Sequence, residues 1–506
     1  MKLKQLFSLA LALLALTCVP VPARAAEGIP VDEAHFPDDN FRDCILQLDH
    51  STDGVLTQEE LASVTEMDVS SCKIQDLTGI EYFTALERLD CYDNSLTSLD
   101  VSKNTVLEHL NCNCNGLTSL DVTKNTALEH LDCDGNQSTI VLDANDQFDL
   151  STLPGFDVTK VSFWGGGTVS GNTLTVIGES TSVFYTYQMG NGWSEIFTLI
   201  MVEVARESGA NRYETASLVA EQMKDTLGVE KFDAVILANG YNFADALAGS
   251  YLSARKQAPI LLTWNGADKY AYLNDTTIDY VKENLAPGGT VYILGGTSAV
   301  PASIDEALSG FTVKRMDGAN RFETNIMILE EAGIPEGSEV LVCTSTNFAD
   351  SLSASAAGKP ILLVWNKRSI LYGDQPQFLE ALQAKGCTFT VIGGESAVSA
   401  KMMGIIEGYG ETTRLAGANR FETSVLVARR YFPDATSAVL AYAWDFPDGL
   451  CGGGLANAMN APLILTMTKY EAKAAEYIQS QGITTGVVLG GKKLISDDSI
   501  EKIFCN

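Results

Sequence analysis

Three arginines stand where a cation is out of place. Arg212, Arg321 and Arg420 each follow an asparagine, in GANRYET (Gly209–Thr215) and in GANRFET (Gly318–Thr324 and Gly417–Thr423). Asn211, Asn320 and Asn419 suit a helix N-cap, and Glu214, Glu323 and Glu422 give the N-x-x-E form of a capping box. A cation in the first turn opposes the helix dipole by about 0.3–1 kcal/mol. Two compensating partners are open. One is internal: Asp245, Asp350 and Asp448, each a short turn beyond a strand in NFAD, NFAD and DFPD. The other is a ligand phosphate or carboxylate, which the guanidinium fork fits. The aspartates also have a plain use as helix-start acids. Trp264-Asn265 and Trp365-Asn366 follow apolar strands, where a sugar could stack or where packing alone explains them.

A second chemistry is offered by DHSTDGVLTQEE, Asp49 to Glu60. A calcium loop needs several oxygens, a glycine for the sharp turn and a closing glutamate. Asp49, Ser51, Asp53 and Glu60 supply the oxygens and Gly54 the turn. The alternative is an acidic turn leading into a helix cap. No cofactor is required, and calcium is the one candidate metal.

Catalysis is not expected. The histidines are His35, His50, His109 and His130, so residues 206–506 lack the base of a Ser-His-Asp hydrolase and the ligands of a His-bound zinc amidase. The glycine pairs lack G-x-G-x-x-G spacing, and no acid pair stands out for glycoside hydrolysis.

The elements that position these residues repeat on two scales. In the front half, LERLDCYDNSLTSLDVSKNTV, LEHLNCNCNGLTSLDVTKNTA and LEHLDCDGNQ stack from Leu86 on a 21-residue period. This L-x-x-L-x-C-x-x-N pattern resembles the leucine-rich repeat family, and Met67, Val69, Cys72 and Ile74 look like a degenerate earlier coil. The resemblance implies a solenoid with Leu89, Cys91, Asn94 and Leu96 pointing inward. Cys91, Cys112 and Cys133 then serve as small apolar core groups. It also implies a polar concave face of Arg88, Asp90 and Tyr92, then His109, Asn111 and Asn113, then His130, Asp132 and Asp134. That face is either a protein- or glycan-binding surface or a solvated sheet. Alternating stretches such as NTLTVIG and SVFYTYQMG then predict a small antiparallel β module closing the array.

In the back half each unit opens on the heptad and a helix. A strand follows (DAVILANGYNFADAL, EVLVCTSTNFADSL, SAVLAYAWDFPDGL), then PILLT, PILLV or PLILT, another helix, and VYILGG, FTVIGG or GVVLGG. Apolar strands alternating with helices predict parallel α/β sandwiches. Residues 206–506 resemble three tandem copies of the cell-wall-binding repeat type 2 family. That resemblance implies a pseudo-threefold assembly that binds an anionic secondary cell-wall polymer, found in secreted Gram-positive, often clostridial, surface proteins.

The plan is therefore multidomain: a signal peptide over 1–25, with Lys2 and Lys4 before an apolar run and Ala23-Arg24-Ala25 for cleavage; a helical cap with the EF-hand-like loop over 26–66; leucine-rich repeats over 67–142; a β module over 143–205; and wall-binding repeats over 206–310, 311–410 and 411–506. No later stretch is long enough to span a bilayer. Net charge is −30, with 9 Lys/Arg against 30 Asp/Glu in residues 1–205 and 25 against 34 in 206–506. So acidic a front half argues against a nucleic-acid partner. Eleven scattered cysteines do not make a disulfide framework. The expected protein is an exported surface protein, anchored non-covalently and displaying its leucine-rich repeats. An accessory of cell-wall hydrolysis is the runner-up, and a calcium-dependent adhesin a third class.

Overall fold

A repeat of 21 residues with one short strand per turn can pair only with its own neighbours, and it does so here. In the computed structural model, Glu66–Asp68, Arg88–Asp90, His109–Asn111 and His130–Asp132 form one parallel sheet in chain order. Met67, Leu89, Leu110 and Leu131 share one register row. The structure describes residues 28–143, 145–178, 180–266, 272–365 and 370–505, so the leader expected over 1–25 lies outside them. The chain divides into two compact units. One comprises the chain up to Gln137 with Leu150–Gly165 and Phe184–Thr198; the other comprises Ser138–Asp149, Gly166–Val183 and the chain from Leu199.

In the first unit, asparagines bond each turn to the one before it. Asn115 donates to the carbonyls of Cys91 (3.0 Å) and Cys112 (3.2 Å) and accepts from the Leu96 amide (3.0 Å). Asn94 and Asn136 repeat the pattern one period either side. On the return side Asn104 and Asn125 form a second ladder, each donating to two carbonyls of the preceding turn. Burial makes these bonds count, because an unpaired interior carbonyl has no water to replace its donor. Cys91, Cys112 and Cys133 are buried free thiols. Burial pushes the Cys91 thiol far up, so it packs as an uncharged apolar group.

The two ends of this stack are closed differently. Helices Asp39–Leu46 and Gln58–Ser63 precede it, capped by Asp38 and Thr57. At the far end Tyr185 donates to the Thr118 carbonyl (2.6 Å), the Val122 amide to Met189 (2.9 Å), and the Asn191 side chain to Val122 (2.7 Å). Strand Val161–Gly165 pairs antiparallel with residues 184–187.

The second unit holds two four-stranded parallel sheets and a third parallel strand set of the same design. Ile260–Thr263, Phe232–Asn239, Leu285–Leu294 and Thr312–Met316 are neighbours in the first, and Ile361–Val364, Glu339–Thr344, Thr388–Ile392 and Thr412–Leu415 in the second. In each, the fourth strand leads directly into the next heptad. In the third set, Leu463–Thr466, Ser437–Tyr442 and Thr485–Leu489 are neighbours in that order. Its fourth strand comes from before the first repeat: Glu203–Glu207 pairs in parallel with Thr485–Leu489. The long strand Trp193–Glu207 thus runs across the 205/206 boundary drawn from sequence. A three-stranded antiparallel sheet of Gln147–Asp149, Thr173–Val176 and Gly167–Ser170 completes this unit.

Candidate functional site

The heptads build helix starts of the same geometry three times. Asn211, Asn320 and Asn419 cap Arg212–Leu227, Arg321–Ala332 and Arg420–Tyr431, each accepting from the amides two and three residues on. The glutamates differ from a standard capping box. Glu214 takes the Ala210 amide (2.9 Å) and the Asn211 side chain (2.8 Å), not the cap residue's own N–H, and Glu323 does the same. The closing threonine oxygen then accepts from the opening glycine amide, at 3.1–3.2 Å in all three. The loop is fixed on both sides before the arginine is placed.

Each arginine spends part of its fork on its own repeat. Arg212 donates to the Gly240 carbonyl (2.5 Å), Arg321 to Ser345 (2.7 Å) and Arg420 to Ala443 (2.5 Å), in each case just beyond the first strand of that repeat. The recurrent carboxylate on which each guanidinium acts belongs to another repeat. The charge of Arg321 acts on Asp245, that of Arg420 on Asp350, and that of Arg212 on Asp448, which closes the cycle. None of these three couples is an ion pair within 4.0 Å among the described residues. Both partners proposed from sequence therefore keep free hydrogen-bonding capacity towards a third group.

Burial decides the state of the aspartates. It raises Asp245 and Asp350 to about 6, and the facing guanidinium only partly offsets it. Asp448 is raised by the same cause, with Arg212 and Thr215 pulling it back. The glycine that ends each third strand makes room for this carboxylate. Gly295, Gly393 and Gly490 have φ of +99°, +97° and +98°. A Cβ would lie 3.1 Å from Asp245 Oδ2 at Gly295 and 2.6 Å from Asp448 Oδ2 at Gly490, and at Gly393 it would overlap Asp350. The first glycine of each pair thus serves the aspartate, a role that spacing alone did not reveal.

Where the second repeat meets the heptad of the third, a cleft of about 400 Å³ opens, with Asp350, Asn347, Ser396, Asn419 and Arg420 in its lining. At the inner end of these loops Phe243, Phe348 and Phe446 touch pairwise, with centroids 5.6–6.3 Å apart. Each follows the asparagine or aspartate that starts the NFAD or DFPD turn. The equivalent turns of the three repeats therefore share one aromatic contact.

The aromatic neighbours of the arginines were missed from sequence. Arg212 lies 4.3 Å from the ring centre of Tyr241, and Arg420 lies 4.2 Å from that of Trp444. The equivalent residue in the second repeat is Thr346, which breaks the pattern a reader would look for. The tryptophans singled out earlier sit deeper: Trp264 and Trp365 are partly buried against the core, Trp264 edge-on to Tyr241 at 5.1 Å and Trp365 beside Tyr372 at 5.0 Å. Asn265 donates to Ser298, and Asn366 lies outside the described residues.

In the first unit the sheet face presents Glu66, Arg88, His109 and His130 in one row and Asp68, Asp90, Asn111 and Asp132 in the other. Arg88 pairs with Asp90 at 2.7 Å, His109 and His130 stack at 4.2 Å, and Tyr92 is exposed. The Asp49 loop is closed by its own carboxylates. Asp49 accepts from the Ser51 hydroxyl (2.9 Å) and the Thr52 (2.8 Å) and Gly54 (2.7 Å) amides; Asp53 accepts from Val55; Glu60 accepts from Thr57 and His50. No cluster of three or more His, Cys, Asp or Glu able to hold a metal forms among the described residues.

The sequence profile described as Cell wall binding domain 2 (CWB2) matches residues 206–305, 315–403 and 414–501. Over 301 residues the chain is 26% identical to N-acetylmuramoyl-L-alanine amidase LytC of Bacillus subtilis, covering 58% of this chain and 56% of that protein. Over 335 residues it is 25% identical to the amidase enhancer of the same organism, covering 65% and 43%. The chain thus spans about half the length of these two relatives. Seventy-one residues are 43% identical to Internalin J of Listeria monocytogenes, 14% of this chain and 8% of that one. Among solved structures, Cwp8 from Clostridium difficile shares the fold with a TM-score of 0.53 and 22% identity, covering 74% of this chain and 69% of that chain. Among the described residues no helix is long and apolar enough to cross a membrane.

Proposed function

Because the chain belongs to the cell wall binding domain 2 family, three copies of which occupy most of residues 206–501, we propose that it is a secreted surface protein held non-covalently on an anionic wall polymer. The observation that carries this reading is the cyclic set of Arg–Asp couples, Arg212 with Asp448, Arg321 with Asp245 and Arg420 with Asp350. Each offers a guanidinium with unspent donors beside a carboxylate that holds its proton unusually well. We read the three repeats as a pseudo-threefold assembly with one such cleft at each junction. The front half is then the displayed part, a leucine-rich-repeat solenoid whose polar face takes a protein or glycan.

The test is retention. Full-length protein mixed with washed Gram-positive walls should sediment with them and be released by concentrated salt or denaturant without wall digestion. Protein that stays in the supernatant at low salt rules the anchor out. A second reading, an accessory of wall hydrolysis using the same anchor, is favoured by the similarity to the amidase enhancer. It is distinguished by adding the protein to autolysing walls, where only an accessory changes the rate of lysis.

A further inference from the structure

We infer that two of the three Arg–Asp clefts carry a sugar-stacking platform, formed by Tyr241 in one and Trp444 in another, and that the third does not. This inference rests on the wall-polymer reading and narrows it: the polymer bears sugar rings, and the clefts read them unequally.

Large aromatic side chains on a folded surface are normally at least half covered. Tyr241 and Trp444 are 54% exposed each, though they occupy equivalent places immediately after the strand-end carbonyl that binds the arginine. One face of each ring is taken. The guanidinium of Arg212 lies 4.3 Å from the Tyr241 centroid and that of Arg420 lies 4.2 Å from the Trp444 centroid. The cation holds the ring in one orientation, so little side-chain entropy remains to be lost when something lands on the open face. Arg420 is itself held between Trp444 and Phe348, at 5.7 Å, and lines the cleft with Asp350. Tyr241 is braced edge-on by Trp264.

A flat, braced, half-exposed aromatic beside a cation with spare donors suits one kind of ligand. The aliphatic C–H face of a pyranose covers the ring while an acidic substituent on the same chain meets the guanidinium. A polymer of phosphate and open-chain alcohol alone would use the arginine and ignore the ring. The second repeat has Thr346 at this place, so the cleft of Arg321 and Asp245 offers charge without a platform.

The experiment uses the full chain and two probes, a poly(glycerol phosphate) and the same polymer carrying hexose substituents. Wild type should bind the glycosylated probe more tightly. The double variant Tyr241→Ala/Trp444→Ala should lose about tenfold on that probe and nothing on the bare one, erasing the preference. Trp444→Phe, which keeps a ring, should retain most of the binding, and Thr346→Trp should strengthen it. Because these side chains are exposed, unchanged melting curves will show that the fold is intact. Wild type binding both probes equally, or a double variant that keeps the preference, overturns the platforms while leaving the anionic anchor standing. A wild-type chain that binds neither probe overturns both.

Discussion

At the scale of single residues, the proposed polymer site would couple binding to protonation. An acid whose folded-state value is raised binds its proton more tightly folded than unfolded, so its contribution to stability is full below its unfolded value and is lost as pH rises through the folded one. For Asp245 and Asp350 that window runs from 3.8 to about 6. Polymer binding should follow the same direction. Below the window each of these two sites presents a net cation, and above it a carboxylate charge faces the anion. Wall retention is expected to decline between about pH 5 and 7, and Asp245→Asn with Asp350→Asn should flatten that decline; a double variant with the wild-type pH profile would remove these carboxylates from the site. The arginines give the complementary case. Replacing Arg212, Arg321 and Arg420 together by Gln leaves the asparagine caps in place, so the repeats should stay folded while wall binding falls. Wild-type binding by that variant would leave them only their carbonyl contacts. For the Asp49 loop, the carboxylates already accept most of the bonds they can make within the loop. Calcium is therefore expected to leave the melting temperature unchanged, and Glu60→Gln, whose amide oxygen can still accept from the Thr57 amide in the capping box, to leave it close to that of the wild type. A calcium-dependent rise that Glu60→Gln abolishes would make the loop a metal site.

At the scale of elements, periodicity was the legible part. The 21-residue spacing fixed which residues share a row, and the apolar α/β alternation placed three strands in each repeat of the back half, because buried parallel strands must be apolar along their length; the charged edge strands Thr312–Met316 and Thr412–Leu415 do not follow that pattern and were missed. The asparagine ladder was legible as inward positions, but not as a hydrogen-bond system, since only the stacked neighbour supplies the partner carbonyls. Asn115→Ala tests its weight: it strands the amide of Leu96 and leaves the carbonyls of Cys91 and Cys112 with one side-chain donor each, from Asn94 and Asn136. A loss of about 2 kcal/mol is expected in the unfolding of the first unit, measurable by urea titration; a loss under about 0.5 kcal/mol would mean that water replaces the side chain. What sequence could not supply were the pairings that cross repeats. The charge of Arg321 acts on Asp245, not on its own Asp350, because each heptad follows directly on the previous sheet's last strand. The aromatics beside Arg212 and Arg420 were hidden for a simpler reason, since the middle repeat has threonine there. The fourth strand of the third set was hidden too: Glu203–Glu207 lies almost 300 residues before its partner.

At the scale of the whole molecule, that borrowed strand sets where the chain can be cut. A fragment starting at 206 keeps two of the five residues paired with Thr485–Leu489, whereas one starting at Leu199 keeps all. The longer fragment should be more stable by roughly 1 kcal/mol for each ladder hydrogen bond restored. It should also bind walls without the front half, and a front fragment ending at Thr198 should not. Charge sharpens the expectation. Residues 1–205 carry 9 basic against 30 acidic side chains, a surplus of negative charge that an anionic polymer repels. Removing them should strengthen wall binding at low ionic strength. The gain should vanish near 1 M salt, where the screening length falls to about 3 Å. If the fragment instead binds more weakly than the full chain at every salt concentration, the front half contributes contacts to the wall, and the division into an anchor and a displayed part is wrong.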